Sequence, residues 1–161
     1  MRRGLSEKEL AFISKLELKG RNTFSRYEIR SNFTSVNEMN VYLHRLKKKG
    51  RIIKLNKNKY FLIPVKAVGG KWSEHPFIII DEIMNGKDYC IVGKGAANYW
   101  KLIDQIPFEF EVYNTRKHEV ITIFNARLTF RRKRKLPEHV EKTIQGHKFI
   151  VATKKESKKW M

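Results

Sequence analysis

The sequence has one cysteine, four prolines and only 16 acidic residues among 161. A lone cysteine, Cys90, cannot close an internal disulfide, which excludes a disulfide-stapled secreted scaffold. No apolar run approaches the ~20 residues of a membrane span. Met1-Arg2-Arg3-Gly4 leads straight into a polar helix start with no signal-peptide pattern, so a cytoplasmic, nucleoid-associated protein is expected rather than a membrane one. What the chain has in excess is positive charge: 35 lysines and arginines, a formal net charge of +19 and a pI near 10.1. Such a surplus repels itself and points to a polyanionic partner, with nucleic acid ahead of an anionic membrane surface. Hydrophobic residues at 41% and aromatics at 12% suffice for a buried core, so wholesale disorder is excluded.

The charge is not spread evenly. Residues 1–64 hold 16 basic and 5 acidic residues, residues 65–126 hold 7 and 8, and residues 127–161 hold 12 and 3. A surface built for solubility alone would mix its charges more uniformly. The distribution predicts a basic domain over 1–64, a linker over 65–71 containing Gly69-Gly70, a second domain over 72–153, and a basic tail over 154–161.

Three helix starts punctuate the first 64 residues. Ser6 with Glu9, Ser25 with Glu28, and Ser35 with Glu38 each have the spacing of a capping box, in which the two side chains satisfy each other's orphan amides. Leu10, Phe12, Ile13 and Leu16 follow the first start at helical spacing, and Gly20 stops it. Ile29 and Phe33 follow the second. Val36, Met39, Leu43 and Leu46 follow the third, which closes at Gly50 after Lys47-Lys48-Lys49, cations that suit a helix C-terminus. The period then changes to that of strands: Arg51–Leu55 and Lys59–Ile63 flank an Asn56-Lys57-Asn58 tip and read as a hairpin ending at Pro64. Three capped helices and a basic hairpin predict a winged helix-turn-helix, whose third helix enters the major groove while the hairpin lies along a backbone or minor groove. With Met39, Leu43 and Leu46 facing inward, the opposite stripe of that helix is Asn37, Asn40, Val41, His44 and Lys48. These are the candidates for base readout, since Asn pairs with adenine edges and His or Lys reaches guanine. Arg26, Tyr27, Ser35, Lys47, Arg51, Lys57 and Lys59 are the candidates for phosphate contact, Ser35 also serving as a cap.

Beyond the linker the pattern predicts an α+β domain with an antiparallel sheet. His75-Pro76 opens an apolar stretch, Phe77–Met84, that suits a short buried helix, with a strand over Phe77-Ile78-Ile79-Ile80 as the alternative. Tyr89–Val92 reads as a buried strand, and Ala96–Ile103 as a helix after Gly93-Lys94-Gly95. Phe108–Tyr113, Val120–Phe124 and Arg127–Arg131 alternate as half-solvated strands and predict a meander. Thr143-Ile144 and Phe149–Ala152 predict a last hairpin around Gly146. Arg131-Arg132-Lys133-Arg134-Lys135 predicts a second phosphate-binding surface, against the plainer reading of a charged edge that discourages sheet pairing.

Three stretches together resemble one family. Asn58–Pro64 is similar to a "basic residue, Gly-Val-Tyr, apolar, Pro" signature, here with Asn58-Lys59 where the turn often carries Gly. Tyr89–Ala97 resembles a "Tyr-apolar-Ser/Gly-Gly-x-Ser-Ala-Leu" strand-to-helix turn. Leu102-Ile103-Asp104-Gln105-Ile106-Pro107 resembles a "Gly-Leu-Thr-Asp-Gln-Ile-Pro" element. In this order, over residues 5–153, they resemble the AbiEi-type antitoxin and transcriptional-regulator family of type IV toxin–antitoxin systems. The resemblance implies a winged-helix repressor of its own promoter, acting on repeated half-sites as monomer or homodimer, with an antitoxin-like second domain. It also implies a nucleotidyltransferase toxin opposed without a stable complex, and the residues themselves lead to the expectation of no cofactor.

Enzymatic readings find less support. A metal-dependent nuclease needs acids converging on an ion, often beside a lysine. Asp81, Asp104, Glu109 and Glu111 are available, but the next position on the face of Glu109 and Glu111 is Tyr113. His44, His75, His118, His139 and His147 lack metal-ligand spacing, and no catalytic triad or phosphate-binding loop is present. An RNA-binding protein stacking bases on Trp72, Trp100 and Trp160 is the remaining alternative, although these read better as core or surface anchors.

Overall fold

A computed structural model describes residues 4–20, 22–64 and 74–161. The predicted linker, together with Arg21 and Trp72, lies outside the described residues. The chain is α+β and divides into two units, Met1–Ser73 and Glu74–Met161.

In the first unit, α1 (Glu7–Leu18) begins with a complete capping box: Glu9 N donates to Ser6 Oγ at 3.2 Å and Ser6 N to Glu9 Oε1 at 3.3 Å. After Gly20 comes β1 (Thr23–Ser25), a strand of three residues. The second start yields just one turn of helix, α2 (Arg26–Ile29), tightening into a 3₁₀ turn over Arg30–Asn32. The third yields α3 (Val36–Lys48), capped by Ser35 Oγ. Gly50 follows it at φ +74, a left-handed position that ends a helix cheaply only without a Cβ. β2 (Ile52–Lys54) and β3 (Lys59–Leu62) form the expected antiparallel hairpin, and β1 pairs with the far edge of β3 to give the order β1-β3-β2. Ile13 and Leu16 of α1, Phe24, Ile29, then Met39, Leu43 and Leu46 of α3 close over Ile52, Tyr60 and Leu62 in one core. Each such side chain, fully buried, contributes roughly 1.5–3 kcal/mol. Val36 departs from expectation: it shares the face of Met39, Leu43 and Leu46, but it stands on the first turn of α3 and is exposed.

The second unit opens with α4 (Pro76–Met84), Pro76 filling the first helical position, where no amide is needed, and His75 Nδ1 accepting from Phe77 N. Next come β4 (Tyr89–Val92), α5 (Gly93–Tyr99), β5 (Glu109–Asn114), β6 (Glu119–Ile123), β7 (Ala126–Arg132), β8 (His139–Ile144) and β9 (His147–Ala152). The six strands make one sheet in the order β6-β7-β5-β4-β9-β8. The predicted antiparallel meander is corrected here: the sheet is mixed, because β7 pairs parallel with β5 and β9 parallel with β4. Asn114, fully buried at the end of β5, braces the turn that leaves this strand. Its Oδ1 accepts from Arg116 N and Lys117 N while its Nδ2 donates to the Lys117 and Arg131 carbonyls, so the chain bends away before β6. The β6–β7 hairpin then turns through Phe124 and Asn125, both at positive φ, and inserts β7 beside β5. Phe77, Tyr99, Phe110 and Phe149 meet ring to ring where α4 and α5 cover β5 and β9. A Cβ at Gly95 would stand 2.8 Å from the Phe110 ring, so the close approach of α5 to β5 depends on that glycine. The predicted tail also differs. Residues 154–161 form α6 (Lys154–Ser157) and a 3₁₀ turn over Lys158–Trp160, with Thr153 capping and Ser157 buried against the carbonyls of Ala152 and Thr153.

Candidate functional site

Asn37, Asn40, Val41, His44 and Lys48 are all exposed on α3, on the side away from Met39, Leu43 and Leu46. The same periodicity that seals one stripe of this helix therefore leaves a polar stripe with an amide, an imidazole and an ammonium free to face outward. At the N-terminus of the helix, Glu38 accepts from both the backbone and the hydroxyl of Thr34 rather than closing the box onto Ser35, and these bonds hold its carboxyl below the usual carboxylate range.

Arg26 of α2 donates through Nη2 to Asn40 Oδ1. Because a guanidinium has donors only, Asn40 must present its oxygen to Arg26, which leaves its amide N–H groups to offer outward. Tyr27, next to Arg26, is 84% exposed, an unusual position for a large ring on a short helix. Lys47 and Lys48 are exposed in the last turn of α3, and Lys57 stands at the hairpin tip. Lys59 lies opposite Ser25 where β3 meets β1.

Two cations of the same region have internal partners. Lys49 reaches Glu9 Oε1 at 2.6 Å and the Gly4 carbonyl at 3.2 Å. Burial pushes the Glu9 carboxyl up, but hydrogen bonds from Lys49 and Ser6 outweigh it and hold the group below the usual carboxylate range. Arg51, expected at a phosphate, donates through Nη2 to the carbonyls of Ile63 and Pro64, both at 3.0 Å, and so ties the start of β2 to the end of β3.

In the second unit Arg131, Arg132, Lys133, Arg134 and Lys135 are all exposed. Arg131 pairs with Glu111 at 2.8 Å across the β5–β7 register, and the Lys133 ammonium sits 4.9 Å over the Tyr113 ring. Arg132, Arg134 and Lys135 extend the same run. Two of the four acids weighed for a nuclease take up local partners: Glu111 has Arg131, and Glu109 accepts from the Thr129 hydroxyl at 3.0 Å. They border a cavity of about 320 Å³ with Lys94, Phe108 and Trp160. Trp100 donates to the Ala152 carbonyl and anchors α5 to β9. Burial pushes the Cys90 thiol up to about 12, far from a nucleophile's range.

Two features escape the sequence pattern. The Arg26–Asn40 bond joins separate helices, and only the turn between α2 and α3 brings it about. His147, one of five scattered histidines in sequence, lies against Asp81 and Glu82 of α4 in the fold. No helix among the described residues is long and apolar enough to cross a membrane. Comparison with protein-family models finds no match, and the curated proteins compared include none similar to this chain.

Proposed function

We propose that the chain is a DNA-binding transcriptional regulator whose first unit works as a winged helix-turn-helix. α2 and α3 are the turn-linked pair, α3 enters the major groove, and the β2–β3 hairpin is the wing. The observation that carries the proposal is α3 itself: a helix anchored by three buried apolar residues whose opposite stripe exposes Asn37, Asn40, Val41, His44 and Lys48. Arg26, Tyr27, Lys47, Lys57 and Lys59 surround that stripe in the sequence of elements and supply phosphate contacts, which provide affinity without sequence information. The exposed Arg131–Lys135 run adds a second basic surface.

The motif order described above supports a narrower reading, the autorepressing antitoxin of an AbiE-like type IV toxin–antitoxin system. In that role the protein binds repeated half-sites in its own promoter as monomer or homodimer. It opposes a nucleotidyltransferase toxin without a stable complex and needs neither cofactor nor catalytic step.

Fluorescence anisotropy with a duplex from upstream of its coding region tests the regulator reading. The expected result is binding at least about a thousandfold tighter than to a scrambled duplex, as specific sites show. Replacing Asn37, Asn40 and His44 together with alanine is expected to abolish that preference while leaving weak general binding. Equal affinity for the scrambled duplex would contradict the reading. Tighter binding to a matched RNA, or cleavage on adding magnesium, would favour the RNA-binding or nuclease alternative.

A further inference from the structure

We propose that Asp81, Glu82 and His147 form a binding site for a divalent transition-metal ion, with zinc the ion their donor set fits best. The site lies wholly within the second unit and is independent of the DNA-binding reading. Asp81 and Glu82 sit side by side in the last turn of α4, and His147 is the first residue of β9, placed there by the two-residue turn through Gln145 and Gly146. In sequence His147 is more than sixty positions from the two acids; the packing of α4 on β9 brings it to them.

The three side chains bring donor atoms close enough together to share one ion. His147 Nε2 lies 2.9 Å from Asp81 Oδ2 and 3.5 Å from Glu82 Oε1, and the three atoms lie within 4.8 Å of one another. Ligands held about 2.0–2.1 Å from a tetrahedral zinc stand roughly 3.3 Å apart, between the two observed separations. A single imidazole N–H can donate well to one carboxylate only, yet Nε2 faces both. With an ion bound, the Nε2 lone pair coordinates it, the ring proton resides on Nδ1, and one carboxylate oxygen from each acid completes a three-ligand set. The side chains are 14–26% exposed, which leaves a fourth position open to water.

Two further observations point to a cation. Asp81 is oriented from behind: the Tyr89 hydroxyl donates to its Oδ1 at 2.7 Å while accepting from Ile150 N at 2.9 Å, and Tyr89 is fully buried. Hydrogen bonding of a ligating carboxylate by such a fixed neighbour is a regular feature of metal sites. The acids also occupy the end of a helix where the backbone dipole favours positive charge, and the last turn of α4 contains no basic residue of its own. An ion at this point neutralises the carboxylates, offsets the dipole and clips α4 to the β8–β9 turn.

The test titrates chelator-treated protein with zinc chloride by calorimetry, and with cobalt(II) by visible spectroscopy. The expected result is one saturable zinc per chain, a higher melting temperature with zinc present, and the d–d bands of tetrahedral cobalt. Glu82→Gln preserves size and hydrogen bonding, so it keeps the fold; it is expected to weaken zinc affinity by at least about tenfold and to remove the melting-temperature rise. His147→Ala is expected to abolish the cobalt bands. Absence of saturable zinc binding by the unaltered protein would overturn the proposal. So would unchanged affinity in Glu82→Gln, which would assign any bound zinc to exposed histidines elsewhere and leave His147 as a hydrogen-bonding residue only.

Discussion

Glu9 shows how much one residue's role depends on what the fold places beside it. Its spacing from Ser6 identifies the capping box in the sequence, and the structure adds a second partner, Lys49, from the far end of α3. Of the run Lys47-Lys48-Lys49, two side chains face solvent while the third closes a largely buried ion pair. Periodicity indicates that three cations crowd a helix end; it does not say which one meets an acid forty residues away. Lys49→Met leaves the Glu9 carboxylate buried and short of a donor, at an expected cost of about 1–3 kcal/mol. The pH dependence follows from the direction of the shift. Folded Glu9 holds its proton less tightly than unfolded Glu9, so its contribution is complete above about pH 4.5 and is lost as pH falls through the lowered value. Urea midpoints measured from about pH 6 down to about pH 3 should therefore fall more steeply for the unaltered protein than for Lys49→Met. Parallel declines would contradict this account of the pair. Arg51 teaches the same lesson: a basic residue at the mouth of a hairpin reads as a phosphate contact, but its guanidinium reaches the Ile63 and Pro64 carbonyls instead.

At the level of elements, capping chemistry made the helices legible. Ser6, Ser25 and Ser35 each accept from the amide three residues on, and α1, α2 and α3 begin where those residues stand. The hairpin was legible because its alternation brackets a polar tip. β1 was not, since three residues, Thr23 to Ser25, are too few to show a period, and their strand character comes from pairing with β3. The mixed sheet was hidden for a related reason. Alternation reveals which face a residue occupies and nothing about which neighbour a strand takes, and the buried Asn114 that braces the turn after β5 reads in sequence as an ordinary turn residue. The Arg26–Asn40 bond likewise arises between two elements, and it refines what α3 offers to a duplex. With its oxygen held by Arg26, Asn40 can only donate, which suits the paired N7 and O6 acceptors of guanine better than the acceptor–donor edge of adenine. Selection from random duplexes should show guanine at the position under Asn40. Arg26→Ala, which frees the amide oxygen, should move the preference toward adenine by about 1–3 kcal/mol of discrimination. An unchanged preference would mean that the bond plays no part in readout.

Across the whole molecule, charge is the property most plainly written in the sequence, and its division between a basic first unit and a basic terminal segment carries through to the exposed side chains of both units. If both surfaces meet phosphates, the salt dependence of binding reflects their sum. Arg131 is paired with Glu111, so the cleaner test replaces Arg132, Arg134 and Lys135 with glutamine. Each phosphate contact removed should lower the log–log salt slope by about one, weakening specific and scrambled duplexes alike. An unaltered slope would confine DNA contact to the first unit. The central claim, that the exposed stripe of α3 reads duplex edges, is tested most directly by hydroxyl-radical footprinting upstream of the coding region, comparing the unaltered protein with the Asn37, Asn40 and His44 triple alanine variant. The account predicts discrete protected half-sites that disappear in the variant. Uniform protection, or a footprint indifferent to those three residues, would contradict it.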